Sequence, residues 1–272
     1  MKIALSGASG NLGKVIRPEL LRQGVELRSA GGHKCPKPFA ANEDVMCGDL
    51  RDPLVVDRLL KGVDILLHFA GSSVEGPLAG IIDNNLTALA AIYEGVRRHH
   101  VKRVVFASSN HAIGMYPVDE KLDIHCAVRP DGFYGLSKVW GEALARMYWD
   151  KHGVETICIR IGSCIPKPTE VRHLSTWLSE DDLLRLLSCC ITAEEVGFCI
   201  VWGVSDNSRT YWDNSAAERL GFHAQDNAEQ YAAEITALAS RTLTENPQYQ
   251  GGSFALMNYT PPGERGKTSR SG

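Results

Sequence analysis

"KIALSGASGNLGKVIRPELLRQG", residues 2–24, decides the fold. A short apolar run stops at a cluster of small residues, and apolar residues then recur at helical spacing. The stretch reads as strand, glycine loop and helix. The loop places Gly7, Gly10 and Gly13 around Ser9, Asn11 and Leu12. A strand that opens into a helix in this way brings bare backbone close to a pyrophosphate, and the helix N-terminus presents unpaired N–H groups and a positive dipole end. Small-residue turns between strand and helix are common whatever they bind. The position of this one, between the first strand and the first helix, makes nucleotide binding the better reading.

The alternation continues outward through "VELRSA", "DVMCGDL", "DPLVVDRLLKG" and "VDILLHFAG". A helix over about residues 80–100, the strand "RVVFASS", a helix over about 134–152 and the strand "TICIRIG" follow. Short apolar strands alternating with amphipathic helices predict an α/β fold, a doubly wound, Rossmann-type parallel sheet covered on both faces. Beyond residue 163 the pattern loosens to a loop, a helix, the strand "GFCIVWGVS" and a terminal helix. That part is too short to stand alone. The expectation is a single domain over 1–260, with a cofactor-binding core over about 1–163, a short C-terminal substrate-binding cap over about 164–260, and a flexible tail over 261–272.

Composition sets limits on function. The chain has 272 residues, 44% hydrophobic and 22% charged, with a net charge of −3. The basic residues are not massed in one run, so the footprint of a nucleic-acid binder is missing. No apolar stretch approaches the roughly 20 residues that span a bilayer, and the first ten residues reach glycine before a secretory h-region forms. A cytoplasmic protein with neither nucleic acid nor membrane as partner is expected, with a homo-oligomer left open. The eight cysteines, at 35, 47, 126, 158, 164, 189, 190 and 199, include no C-x-x-C pair and no zinc spacing. They read as free thiols in a reducing compartment, and no metal is expected.

"RPDGFYGLSK", residues 129–138, holds the candidate chemistry. Tyr134 and Lys138, four apart, lie on one helix face, so the ammonium can sit near the phenol and bias it toward phenolate. A tyrosine titrates near pH 10, so only a lowered value makes it a base near neutrality. The preceding strand ends "ASSNH" and delivers hydroxyls at the sheet edge where ligands gather in open α/β sheets.

The G-x-x-G-x-x-G spacing resembles that of the extended short-chain dehydrogenase/reductase family. The resemblance implies roles residue by residue. Ser109, 25 residues before Tyr134, would orient the substrate hydroxyl, with Ser108 its close competitor. Tyr134 would be the general base, and Lys138 would lower its pKa and hold the nicotinamide ribose. Asn85 would brace the lysine, with Asn84 the alternative. Asp49 and Leu50 of "CGDL" would meet the adenine, and Ala70, Gly71 and Ile161 would border the cofactor. NAD is the implied cofactor.

One residue departs from the pattern: NAD-binding folds usually end the second strand with an acidic residue on the adenosine ribose, and here Gly31 and Gly32 stand there, followed by His33 and Lys34. Without the carboxylate NADP stays open, and Arg28, His33 or Lys34 could favour it.

Longer strings, among them "FASSNHAIGMYP" (106–117), "LSTWLSEDDL" (174–183) and "WDNS" (212–215), resemble the uronate dehydrogenases of that family. This implies a hexuronate oxidised at its anomeric carbon to an aldaric acid lactone. It also implies Arg172 on the substrate carboxylate, Ser73, Asn110, His111 and Ser163 on the sugar hydroxyls, and Arg129 holding the loop before Tyr134. The competing readings are another NADP-linked sugar reductase or epimerase of the family and a non-catalytic dinucleotide-sensing regulator.

Overall fold

The glycine loop joins an inner strand of a seven-stranded parallel sheet to its first helix in a computed structural model, which describes residues 1–242 and 248–261. The tail expected over 261–272 lies, from residue 262 on, outside the described residues. The first half runs β1 (Lys2–Ser6), α1 (Asn11–Arg22), β2 (Glu26–Gly31), β3 (Glu43–Cys47), α2 (Pro53–Leu60) and β4 (Ile65–His68). Then come α3 (Leu78–Ile81), a π-helical turn (Ile82–Thr87), α4 (Ala88–Arg98), β5 (Arg103–Ser109), α5 (Phe133–His152) and β6 (Glu155–Ile161). The remainder is β7 (Ser163–Cys164), α6 (His173–Thr176), β8 (Trp177–Leu178), α7 (Glu180–Thr192), β9 (Phe198–Gly203), α8 (Ser215–Glu218), α9 (Ala232–Thr242) and α10 (Ser253–Leu256).

The strand order β3-β2-β1-β4-β5-β6-β9 reverses direction between β1 and β4, and in such sheets ligands settle outside the carboxyl ends of the strands at that switch point. The registers place Ser6 beside both Ala30 and His68, so β1, β2 and β4 end together under the glycine loop. The strands are apolar on both faces because helices cover both: all four residues of β4 are buried. One core layer joins Ile3, Leu5, Ile16 and Leu20 to Leu183, Leu186 and Leu187 of α7. The opposite layer joins Val56, Leu59 and Leu60 to Leu89, Ile92, Tyr93 and Val96. Among the described residues no helix is long and apolar enough to cross a membrane.

Two expectations need correction. Cys35 and Cys47 are not free thiols but a disulfide, with Cα atoms 4.9 Å apart; the other six cysteines are free. The loop after β2 folds back beside the end of β3, where Cys47 pairs in register with Gly31, a proximity that a separation of 12 residues does not disclose. Thiol titration of the unfolded chain without reductant is therefore expected to count six groups, and Cys35→Ser to raise the count by one. Reduction should cost about 2–4 kcal/mol of stability, read from the denaturant midpoint. Eight reactive thiols in the unreduced protein would refute the bridge.

Arg28 is likewise not available to a cofactor. It lies mid-strand, ion-paired to Asp44 at 2.6 Å and donating to the carbonyls of Arg58, Leu59 and Lys61.

Candidate active site

Helix α1 starts at Gly10 with no side-chain cap, so its first N–H groups are left for whatever lies beyond the loop. Gly7 has φ +80°, and a Cβ there would stand 2.6 Å from the Phe69 carbonyl carbon. At Gly13 a Cβ would come within 2.5 Å of the Gly7 carbonyl oxygen, so this glycine lets the helix close on the loop. A cleft of about 640 Å³ opens from this cradle along the carboxyl ends of the strands. Gly7, Ser9, Gly10, Asn11, Leu12 and Gly13 line its floor, and Asp49 and Leu50 line one end. Ala70, Gly71, Ser73 and Ile161 line the middle, and Ser109, Asn110, His111, Tyr134, Lys138 and Arg172 the far end. The bare cradle and the unpaired, buried Nδ2 of Asn110 on its wall fit a bound dinucleotide and a polar substrate.

Two predicted residues stand behind the wall. Asn85 is buried in the π-helical turn, accepting from the Ser72 N–H at 2.7 Å and donating to Ser137 Oγ at 2.9 Å. It thus shapes the loop after β4 rather than touching Lys138. Asn84 does line the cleft, donating to Ser72 Oγ at 3.1 Å. Ser163 is also buried, shared between Thr176 Oγ1 at 2.9 Å and an Arg172 donor at 3.3 Å.

The two serines at the end of β5 separate cleanly. Ser108 donates to Glu142 Oε1 at 2.6 Å, and Glu142 pairs with Arg160 at 2.8 Å in a wholly buried ion pair. Ser109 points the other way, as alternation along a strand requires: its Oγ accepts from the His111 N–H at 3.2 Å and lies on the side of the Tyr134 phenol. Burial pushes the Tyr134 phenol up to about 12, against the lowering influence of the Ser109 hydroxyl and with the charge of Asp131 adding to the rise. Burial brings the Lys138 ammonium down to about 8, against the charge of Glu142. The expected lowering of the phenol by its lysine is absent here because Lys138 Nζ donates to the Ala107 carbonyl at 2.7 Å, with Nζ 5.4 Å from the Tyr134 ring centre.

Several site residues are not signalled by local sequence. Helix α5 starts at Gly132 without a side-chain cap, and the Glu75 carboxylate takes its place, accepting from the N–H groups of Phe133 at 3.1 Å and Tyr134 at 2.9 Å. A helix start reading "DGFY", with no Ser or Thr, is the one hint that an acceptor must come from elsewhere. Asp131, fully buried, holds His111 Nδ1 at 2.6 Å, and Phe254 stacks on the His111 ring at 4.3 Å. Arg129 lies over the Tyr116 ring at 4.5 Å, and its N–H reaches the Ala112 carbonyl, fixing the loop before Tyr134. Arg172 is 12% exposed and donates to the Gln250 carbonyl at 3.1 Å. Among the described residues its one ion-pair partner is Glu170, at 3.4 Å and half exposed.

The NAD dependent epimerase/dehydratase family matches residues 3–213. The chain belongs to that family. Within the NAD dependent epimerase/dehydratase family it is similar to a uronate dehydrogenase of Pseudomonas syringae pv. tomato, at 44% identity over 93% of this chain and 92% of that protein. It is also similar to one of Agrobacterium fabrum, at 42% identity over 93% of this chain and 96% of the other. The crystal structure of the Agrobacterium tumefaciens uronate dehydrogenase, a tyrosine-to-alanine mutant complexed with NAD, superposes with a TM-score of 0.87 at 41% identity, covering 96% of this chain and 97% of that one. The structure of a glucuronic acid dehydrogenase from Chromohalobacter salexigens gives 0.88 at 38% identity, over 94% and 96% of the two chains. The family model thus spans the frame from β1 to residue 213, and the two solved dehydrogenases superpose over 94–96% of the chain.

Proposed function

We propose that this protein oxidises the anomeric carbon of a hexuronate with NAD. The observation behind this reading is the pairing, in one cleft, of a little-compensated guanidinium at Arg172 with Ser109 and Tyr134 beside the buried Lys138. A hexuronate has a carboxylate at one end and a hemiacetal carbon at the other. Arg172 suits the carboxylate, since a guanidinium donates two parallel hydrogen bonds and keeps its charge. Ser109 and Tyr134 flank the position of the anomeric hydroxyl, and His111, held by Asp131, joins Asn110 and Ser73 in meeting the ring hydroxyls.

The glycine cradle and the N-terminus of α1 would hold the pyrophosphate of NAD, and Lys138 would hold the nicotinamide ribose. When bound, NAD would supply the hydride acceptor. Tyr134 takes the hydroxyl proton as base, and Ser109 donates a hydrogen bond to the same oxygen. Removing the O–H proton and the C1–H hydride from a cyclic hemiacetal leaves an ester, so the product is a lactone of the aldaric acid.

The test is the initial rate of NAD reduction with D-glucuronate and D-galacturonate. Turnover with either is the expected result, with the lactone identified by mass. No reduction with any hexuronate would refute the reading.

A further inference from the structure

We infer that the adenosine end of the cleft also accepts a 2′-phosphate, so that the protein binds NADP as well as NAD. This deepens the reading of the site as a dinucleotide site and rests on it. A dinucleotide fold that excludes NADP does so with a carboxylate at the end of the second strand, which hydrogen-bonds the ribose hydroxyls and repels a phosphate. Here that position is closed to any side chain. A Cβ on Gly31 would lie 2.2 Å from the Lys34 carbonyl oxygen, 2.7 Å from Ser9 Oγ and 2.9 Å from Pro36 Cδ. The loop is held there from both sides: Ser9 Oγ donates to the Lys34 carbonyl at 2.8 Å, and Cys35 is bridged to Cys47. The repelling group is therefore structurally excluded, not merely substituted.

Cations stand in its place. His33 and Arg51 line this end of the cleft, and Lys34 is exposed on the same loop. Two carboxylates are near, but both already face Arg51, with Asp49 at 2.7 Å and Asp83 at 3.2 Å. All three side chains are 41–57% exposed, and exposed pairs of this kind hold weakly. A phosphate ester offers Arg51 a bidentate partner of higher charge density.

The structure also supplies the variant that tests this. Gly32, next in the chain and lining the cleft, would have nothing within 4 Å of an added Cβ, so Gly32→Asp restores a carboxylate without displacing the loop. Calorimetric titration of the unaltered protein with NAD and with NADP is expected to give dissociation constants within tenfold of each other, and 2′,5′-ADP should bind more tightly than 5′-AMP. Gly32→Asp should weaken NADP at least tenfold while NAD is held or tightened. NADP binding more than tenfold weaker than NAD in the unaltered protein, or an equal loss of both cofactors in Gly32→Asp, would overturn the inference. Because the readout is binding without sugar, a failure of hexuronate oxidation strikes the substrate reading alone.

Discussion

Tyr134→Phe is expected to lower kcat by about 10²–10⁴-fold, the usual contribution of a positioned acid–base group, while the dissociation constant for NAD stays nearly unchanged. The substitution keeps the ring, which His111 and Phe254 meet edge-on at 5.6 and 6.3 Å between centres, and removes only the hydroxyl on the side of Ser109. Rate and affinity should therefore part company. The pH profile gives a second readout. With the phenol pushed up to about 12 by burial, the phenolate fraction at pH 7 is on the order of 10⁻⁵. A raised pKa means the proton is lost only as pH rises, so kcat should climb from pH 6. Single-turnover rates of Tyr134→Phe within tenfold of the parent, or a flat profile, would refute Tyr134 as the base.

The parts of this site that are legible in the sequence are those set by local spacing. The glycine loop, the Tyr134–Lys138 face and the strand "RVVFASS" each follow from periodicity within one or two elements, and the sheet follows from their alternation. What stays hidden is set by contacts between distant elements. Glu75 caps α5 across 59 residues, and Phe254 stacks on His111 from the far end of the chain. Asp131 stands in plain view in "RPDGFYG", but its role depends on space: Gly114 and Gly251 both leave room for its carboxylate, which a Cβ at either would meet at 1.9 Å. The choice between Ser108 and Ser109 likewise rests on Glu142, 34 residues on. The disulfide, 12 residues apart, and the capture of Arg28 by Asp44, 16 apart, escape the sequence for one reason: both depend on how β2 and its following loop pair with β3, and spacing rules do not cross that gap.

Arg172→Met should lower kcat/KM for D-glucuronate by about 30-fold to several thousand-fold, corresponding to the 2–5 kcal/mol lost when one partner of a desolvated, hydrogen-bonded charge pair is truncated. The size follows from the surroundings of the guanidinium. Its close partners, the Gln250 carbonyl and Ser163 Oγ, are neutral, and Glu170 is 3.4 Å away and 52% exposed, so little in the protein offsets its charge. Gly252 keeps the far side open: a Cβ there would lie 2.6 Å from Arg172 Nε. The guanidinium is thus positioned by neutral contacts and held by only one long, half-exposed ion pair to Glu170, which leaves its charge open to a substrate carboxylate. A purely structural arginine would have the same hydrogen bonds, so the substrate must discriminate. With D-glucose, which has the anomeric carbon but no carboxylate, Arg172→Met should leave kcat/KM within about twofold, since there is no charge to lose. Arg172→Lys should recover only part of the glucuronate activity, because a point charge cannot make the bidentate contact. An equal fall for glucuronate and glucose would instead assign Arg172 to holding the segment around Gln250 in place.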